Sequence, residues 1–326
     1  MAALDAADAR LIAMNPTRNR LDASRWHWQH GPIDLILSAD GEPAALQAAY
    51  DAGWARFAEV LSELVGELKL LRQPVQANAE LTDNPLKGSV ARRMWAACHP
   101  HRGRYITPMA AVAGSVADEL IMAFNREGVV RAFINNGGDI ALYLTEGQQY
   151  RIGVFADLAN YTGERVADDG HSLDANLTVD ASEPVRGIAT SGWRGRSFSL
   201  GIADSVTVLA RTAAIADAAA TMIANAVNLE HAAIVRRPAS SLKDDSDLGD
   251  TLVTVDVPSL PQPLIDFALT RGAQTAQRLQ EIGLIECAAL FLQGRVRVVG
   301  IDRKGALPGS RVDITKEATC SKYAAC

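Results

Sequence analysis

Cysteine is scarce in this sequence, and the metal-binding spacings that cysteine usually forms are missing. The chain has four cysteines in 326 residues, and no two of them stand in a Cys-x-x-Cys pair. This excludes a structural zinc site built on cysteine pairs and a dense disulfide framework. Reduced thiols are the default in a cytoplasmic protein, and the cytoplasm is where we expect this chain to act.

Long apolar runs are also missing. No stretch of about 18 uncharged apolar residues exists, so the sequence predicts no membrane-spanning helix. The first twenty residues are rich in alanine but contain Asp5, Asp8 and Arg10, so they lack the apolar region of a signal peptide. We therefore expect no membrane partner.

The sequence also lacks an excess of positive charge. The formal net charge is −6 at pH 7, and no long basic stretch is interleaved with aromatic residues. Proteins that bind nucleic acids neutralise phosphates with Lys and Arg, so we expect no nucleic-acid partner. The length of 326 residues is sufficient for one large domain or for two fused halves.

Apolar periodicity predicts a series of strands and helices along the chain. A long amphipathic helix is predicted over residues 44–71 and a small-residue helix over residues 108–126. Residues 1–24 are expected to form a flexible leader and residues 25–303 a single domain. Residues 304–326 lack apolar periodicity and are expected to form a mobile tail.

A short internal repeat suggests two related halves. Ala-Ala-Val-Ala at residues 110–113 and Ala-Ala-Ile-Ala at residues 213–216 each lie early in an alanine-rich helix. Two related halves would pack these small-residue helices closely together. The alternative is a chance match, because alanine-rich segments resemble one another easily.

Asp217 and Thr221 are the most unusual polar pair in the sequence. They are four residues apart in a predicted helix, so they point about 40° apart on the same side. The residues around them on that side are alanines, where a solvated helix would carry charged residues: Ala213, Ala214, Ala220 and Ala224. The pair suits a hard cation or a closely bound ligand. Alternatively, Asp217 bonds to neighbouring backbone while Thr221 bonds to its own helix.

Asn136, Gly137, Gly138 and Asp139 stand between two apolar runs and predict a hairpin turn. The double glycine would also let a flat ligand approach the backbone, with Asn136 or Asp139 bonding its polar edge. Local sequence alone favours the turn.

A second glycine-rich segment follows a predicted strand that ends at Thr190 and Ser191. Gly192 and the glycine at position 195 would allow backbone N–H groups to converge on an anion. Arg194 and Arg196 carry charge suited to phosphate oxygens. The alternative is an ordinary turn with solvated arginines, since no Walker-type Gly-Lys-Ser/Thr pattern is present. No Ser-His-Asp or Cys-His set can be assembled, so no catalytic residue is assigned.

Four motifs in order resemble the ApbE superfamily, whose members are magnesium-dependent FAD:protein FMN transferases. The motifs are Asn-Gly-Gly-Asp at Asn136, Ala-Thr-Ser-Gly at Ala189, Ser-Val-Thr-Val at Ser205 and Ala-Asp-Ala-Ala-Ala-Thr at Ala216. The chain looks closer still to an uncharacterised cytoplasmic branch of that superfamily. The segments that carry this second resemblance are residues 31–34, 107–114, 246–249 and 284–290.

The resemblance implies an ApbE-like α+β fold, in which mixed β-sheets pack with alanine-rich helices around one ligand cleft. Asp217 and Thr221 would bind Mg²⁺, with a backbone carbonyl near residues 111–113 as a further ligand. The cleft for a flavin nucleotide would include residues from both glycine-rich segments: Asn136, Gly137, Gly138, Asp139, Thr190, Ser191 and Gly192. FAD or FMN is the implied cofactor, and the partner is a phosphorylated small molecule. Homo-oligomerisation is left open.

The sequence also departs from the superfamily pattern. Gly114-Ser115 stand where Lys-Gly is expected, and a His-x-x-Asp-Pro segment is replaced by the shorter stretch 196–204. Three functions therefore remain open. The chain can bind a phosphorylated flavin or nucleotide-like ligand with Mg²⁺ and transfer or hydrolyse it. It can belong to the biosynthesis of a pterin-type cofactor of one-carbon metabolism, or it can be a non-catalytic flavin carrier or regulator.

Overall fold

The computed structural model of the chain describes residues 14–154, 175–243 and 246–300. The predicted tail, residues 304–326, lies outside these ranges, as do the first thirteen residues of the predicted leader. Within the described ranges, no helix is both long enough and apolar enough to cross a membrane.

The first half of the chain contains two hairpins separated by helices. Its elements are β1 (Thr17–Arg20), β2 (Arg25–His30), β3 (Ile33–Gly41), α1 (Pro43–Gly66), α2 (Leu68–Leu71), α3 (Ser89–Cys98), α4 (Val112–Ile121), β4 (Val129–Asn136) and β5 (Asp139–Leu144). Short 3₁₀ turns lie at Leu81–Asp83, His99–His101, Pro108–Ala111 and Met122–Phe124.

The second half repeats this pattern after a small hairpin. Its elements are β6 (Gln149–Val154), β7 (Ala175–Asp180), β8 (Gly187–Ser191), β9 (Ser205–Ala210), α5 (Ala213–Ala226), β10 (Val235–Pro238), β11 (Leu252–Asp256), α6 (Gln262–Glu281), β12 (Cys287–Leu292) and β13 (Arg295–Val299). A 3₁₀ turn lies at Ala239–Ser241.

One nine-stranded sheet organises the described chain, in the order β1-β2-β3-β4-β5-β8-β9-β12-β13. Two small sheets, β6–β7 and β10–β11, have two strands each. The predicted α+β fold is confirmed, and every described strand pair is antiparallel.

The two halves of the large sheet share one topology. In each half a hairpin is followed by helices, and a second hairpin then returns beside the first, giving β2-β3-β4-β5 and β8-β9-β12-β13. The alanine repeat does not mark this duplication, however. Residues 213–216 begin the first helix of the second half, whereas residues 110–113 lead into the last α-helix of the first half. The halves are related by topology, and the repeated alanines occupy non-equivalent places.

The helices cover one face of the large sheet. Helix α4 packs on β4 and β5, α5 packs on β8 and β9, and the two helices contact each other. On the opposite face, Tyr150 and Ile152 of β6 pack against a cluster that includes Ile188 and Leu209. Strand β9 is therefore covered on both sides, and all six of its residues are buried. This explains its nearly continuous apolar sequence.

Regular structure begins earlier than the predicted leader allowed. Strand β1 pairs antiparallel with β2, and Arg20 stacks over the Trp26 ring with its Cζ 4.7 Å from the ring centroid. All four side chains of β1 are exposed at the edge of the sheet, so the strand has no apolar pattern to reveal it. The predicted boundary at residue 24 is wrong for this strand. The remaining domain boundaries stay a prediction.

Candidate functional site

Asp217 lies at the contact between helices α4 and α5. The backbone N–H of Gly114 donates to Asp217 Oδ2 over 3.0 Å. A Cβ on Gly114 would overlap the carbonyl oxygen of Ala213, so a residue with a side chain would push the helices apart. Glycine at the position where Lys-Gly was expected therefore has a packing role in this chain.

Asp118 fixes the start of the helix that carries Asp217. Its carboxylate accepts hydrogen bonds from the backbone N–H groups of Ala213, at 2.9 Å, and Ala214, at 2.8 Å. Burial raises the pKa of Asp118, while these two bonds act in the opposite direction. A carboxylate at a helix N-terminus also interacts favourably with the helix dipole. Asp118, which sequence reasoning missed, thus holds α5 against α4 one turn before Asp217.

Two carboxylates from distant parts of the sequence meet at this place. Burial raises the pKa of Asp217 well above its usual range, and the negative charge of Asp139 raises it further. Asp139 is buried, and burial raises its pKa to about 7 against the opposing effects of Thr190 and Arg196. Repulsion between two buried like charges favours protonation or a compensating cation.

The turn between β4 and β5 brings Asp139 to the site. Asn136 pairs with Asp139 across the hairpin, and Gly137 and Gly138 between them have positive φ angles of 66° and 115°. The predicted hairpin turn is confirmed. Asn136 Nδ2 donates to the carbonyl oxygen of Ala113 over 3.1 Å, which joins the turn to α4. The Asn136 side chain therefore holds the turn against α4, beside the glycines that the resemblance assigns to the ligand cleft.

Thr190 contributes its backbone to this site rather than its hydroxyl group. The N–H of Thr190 bonds to Asp139 Oδ1 at 3.2 Å, while its Oγ1 pairs with Thr207 Oγ1 at 2.9 Å. Side chains alternate along a strand, and Ile188 belongs to the cluster on the face opposite the helices. The Thr190 hydroxyl accordingly faces away from α5, and Ser191 lies on the helix side.

The turn after β8 is less suited to binding an anion than its glycines indicated. The N–H of Trp193 bonds to the carbonyl of Ala203, and the N–H of Gly195 bonds to the carbonyl of Gly192. These two N–H groups already donate to carbonyl oxygens and cannot also bind an anion. This agrees with the alternative interpretation of the segment as an ordinary turn. A Cβ on Gly137 would overlap Nη2 of Arg196, so this guanidinium lies directly on the β4–β5 turn.

Asp247 is a further carboxylate, which sequence reasoning did not connect to this region, and its charge acts on Cys98 as that of Asp217 does. Thr107 Oγ1 donates to Asp247 Oδ2 over 2.5 Å, and Cys98 Sγ donates to the carbonyl of Thr107 over 3.3 Å. Burial raises the pKa of the Cys98 thiol, and the charges of Asp217 and Asp247 add to this effect. Thr107 and Asp247 are 140 positions apart, so no local signal could have joined them.

The donor set fits a magnesium ion without forming a complete protein cage. Among the described residues, no group of three or more His, Cys, Asp and Glu side chains could hold a metal ion. Mg²⁺ typically uses one or two carboxylates and keeps several water ligands. Asp217 and the Thr221 hydroxyl offer oxygen donors of this kind. No hydrogen bond from the Thr221 side chain to its own helix is found in the described part of the chain.

A cavity lies at the other end of α5. It has a volume of about 790 Å³ and is lined by Leu200, Asn228, Glu230, His231, Ala232, Ile234, Arg236, Thr251 and Leu252. Ala226, the last residue of α5, is about 14 Å along the helix from Asp217, and Asn228 follows it. None of the predicted site residues lines this cavity.

Comparison with known proteins places the chain in a family. Residues 18–298 match the family model described as "AbpE bacteria". The chain belongs to the AbpE family. The predicted resemblance to the ApbE superfamily is thereby confirmed, whereas the cytoplasmic location stays a prediction.

Relatives of this AbpE chain include archaeal UPF0280 proteins. The protein of Methanopyrus kandleri is 31% identical over 227 residues, which are 68% of this chain and 83% of that protein. The protein of Methanothrix thermoacetophila is 35% identical over 159 residues, 48% of this chain and 55% of that protein. Like this second match, several others span only about half of the relative's length.

Two solved structures align with most of this chain but are distant from it in sequence. The ApbE protein of Thermotoga maritima is 12% identical, with a TM-score of 0.43, and the match covers 87% of this chain and 96% of that one. The flavinyl transferase ApbE of Pseudomonas stutzeri is 12% identical, with a TM-score of 0.36, covering 88% and 93% of the two chains.

Proposed function

We propose that this chain binds a flavin nucleotide together with Mg²⁺ at the contact between α4, α5 and the β4–β5 turn, and transfers or hydrolyses it. Membership in the AbpE family supports a flavin-related transferase role. FAD and FMN are the ligands that we expect.

The convergence of α4, α5 and the β4–β5 turn is the observation on which the proposal rests. Gly114 of α4 donates to Asp217 of α5, and Asn136 of the turn donates to the carbonyl of Ala113.

Asp217 on α5 and Asp139 on β5 come from the two halves of the chain, and the charge of Asp139 raises the pKa of Asp217. A divalent cation held by Asp217 and Thr221 would remove this repulsion and offer positive charge to a diphosphate. Gly137 and Gly138 have no side chains and allow a ligand to approach the turn.

In this proposal, the residues around Asp217 position the groups that would bind Mg²⁺. Gly114 donates to Asp217 and orients its carboxylate, while Asp118 holds the N-terminus of α5. Bound Mg²⁺ would neutralise the charge on the diphosphate and stabilise the leaving phosphate. With water as acceptor, FAD would give FMN and AMP. With a protein hydroxyl as acceptor, FMN would become esterified and AMP would leave.

The test is a titration of the purified chain with FAD, with and without Mg²⁺, followed by flavin fluorescence and by chromatography of the products. Release of AMP that depends on Mg²⁺ supports transfer or hydrolysis, whereas binding without AMP release supports the carrier alternative. Asp217→Asn should remove the dependence on Mg²⁺. Asp266→Asn, which changes a half-exposed carboxylate on α6, is the matched control and should retain it.

If the wild-type chain binds neither FAD nor FMN in Mg²⁺, the proposal is wrong. No observation in the site favours the alternative of a pterin-type cofactor pathway, which stays a prediction.

A further inference from the structure

Arg196 lies at the entrance of the proposed site, on the turn that we expect to contact ligand. Its Nη2 occupies the space into which a Cβ of Gly137 would project. Its charge also acts on Asp139, immediately beyond the turn. The side chain is exposed, so a ligand can reach the guanidinium.

The loop that carries Arg196 is fixed at its base. Asp204 accepts hydrogen bonds from Trp193 Nε1 at 3.2 Å and from the N–H of Gln293 at 2.5 Å. The N–H of Asp204 donates to the carbonyl of Phe291 at 3.0 Å, which joins the loop to β12. Arg196 is thus presented from a loop whose ends are held by the large sheet.

The guanidinium of Arg196 keeps its donors available. It carries five N–H donors in a planar fork. In the described part of the chain, no group accepts a hydrogen bond from it or forms an ion pair with it within 4.0 Å. Asp139, the carboxylate on which its charge acts, is buried and already accepts the N–H of Thr190.

The two arginines of this loop differ in their surroundings. Arg194 lies over the indole of Trp193, with its Cζ 4.8 Å from the ring centroid, and Arg196 lies over Gly137. The sequence suggested both residues as phosphate ligands. Only Arg196 adjoins the turn beside Asp139 and Asp217.

We propose that Arg196 recognises the phosphate group of the flavin nucleotide and thereby makes the site selective for phosphorylated flavins over riboflavin. This inference rests on the proposed function. A guanidinium matches phosphate oxygens with two parallel hydrogen bonds. Two carboxylates alone would repel a phosphate, and Arg196 supplies compensating positive charge at the turn beside Asp139.

The experiment compares riboflavin, FMN and FAD as ligands of the wild type and three variants in Mg²⁺, by fluorescence titration. Arg196→Gln should weaken FMN and FAD binding at least tenfold and change riboflavin binding less than twofold. Arg196→Lys, which keeps the charge but loses the planar fork, should recover part of the affinity. Arg194→Gln is the matched control and should change each affinity less than twofold.

Melting curves with and without Mg²⁺ serve as the control for folding. The melting temperature of Arg196→Gln should rise with Mg²⁺ by as much as that of the wild type. Equal losses of riboflavin and FMN binding in Arg196→Gln would overturn the inference, as would equal effects of the two glutamine variants. If the wild type binds FMN and Arg196→Gln binds it as tightly, only this inference fails. If the wild type binds no phosphorylated flavin, the proposed function fails with it.

Discussion

At the scale of single residues, the proposed site depends on how the protein holds negative charge away from bulk water. Asp217 accepts backbone hydrogen bonds from Gly114 and Ala113, and the negative charge of Asp139 acts on it. A structural aspartate would be stabilised by such backbone contacts alone. A metal ligand should respond to the cation, and this difference can be measured.

The first prediction is that Asp217→Ala removes the stabilisation of the chain by Mg²⁺. At about a hundred times its dissociation constant, a ligand that binds only the folded state adds about 2.7 kcal/mol to the free energy of unfolding. Thr221→Val should reduce this gain less, because a neutral hydroxyl contributes less than a carboxylate to a hard cation. Melting curves with and without Mg²⁺ measure both effects. An equal Mg²⁺ shift in wild type and Asp217→Ala would place the metal elsewhere.

The second prediction concerns His101, which is buried and whose pKa burial lowers from 6.5 to about 4. The unfolded chain binds a proton at His101 more readily than the folded chain does. The stability that the neutral histidine allows is therefore complete above about pH 6.5. It is lost progressively as the pH falls to about 4, by up to about 3 kcal/mol. The pKa values of Asp118 and Asp139 are raised in the folded chain, so these two groups make the free energy of unfolding decrease as the pH rises.

Comparison with His101→Gln isolates the histidine. Urea unfolding between pH 4.5 and 7.5 should show a wild-type advantage that shrinks as the pH decreases. Parallel stability curves for the two proteins would show that His101 does not carry the effect.

At the scale of secondary-structure elements, the contact between α4 and α5 decides where Asp217 lies. Both helices are built from small residues, and Gly114 has no room for a Cβ against the backbone of Ala213. The close approach allows a backbone N–H of one helix to reach a side chain of the other. The alanines around Asp217 are therefore a packing requirement as well as a feature of the site.

The third prediction is that Gly114→Ala destabilises the chain and weakens Mg²⁺ binding together. The added methyl group should cost about 1–3 kcal/mol, because it forces the two helices apart. Gly66→Ala provides a control of opposite sign: nothing lies within 4 Å of its Cβ position in α1. That change should be neutral or stabilising by up to about 1 kcal/mol. Equal unfolding energies for the two variants, measured by urea denaturation, would contradict the close-packing argument.

At the scale of the whole molecule, two hairpin–helices–hairpin units share one continuous sheet and contribute to one site. The first unit provides α4 and the β4–β5 turn, and the second provides β8 and α5. The site therefore requires both units, although each has much of its own apolar core. The family match ends at residue 298, close to the end of β13.

The fourth prediction is that truncation after Arg303 leaves folding and ligand binding intact. The removed residues, 304–326, lack apolar periodicity and follow the last strand of the sheet. The melting temperature and the FAD affinity of the truncated chain should match those of the full chain. A fall of several degrees in the melting temperature would show that these residues stabilise the domain.

The sequence by itself determined most elements and the candidate residues. Apolar periodicity predicted a helix over residues 44–71, where the structure has α1 and α2, and a strand ending at Ser191, where β8 ends. The Asn-Gly-Gly-Asp turn was also predicted, because such residues adopt positive φ at little cost. Strand β1 was missed because an exposed edge strand has no buried face and hence no apolar pattern.

Only the tertiary structure decided which of these residues share a site and which way they face. It joined Asp217 to Asp139 and Thr107 to Asp247, and it turned the Thr190 hydroxyl to the opposite face of the sheet. It also separated Arg196 from Arg194. Local sequence encodes the period of a helix or strand, whereas contacts between distant segments depend on how helices and sheet pack around a common core.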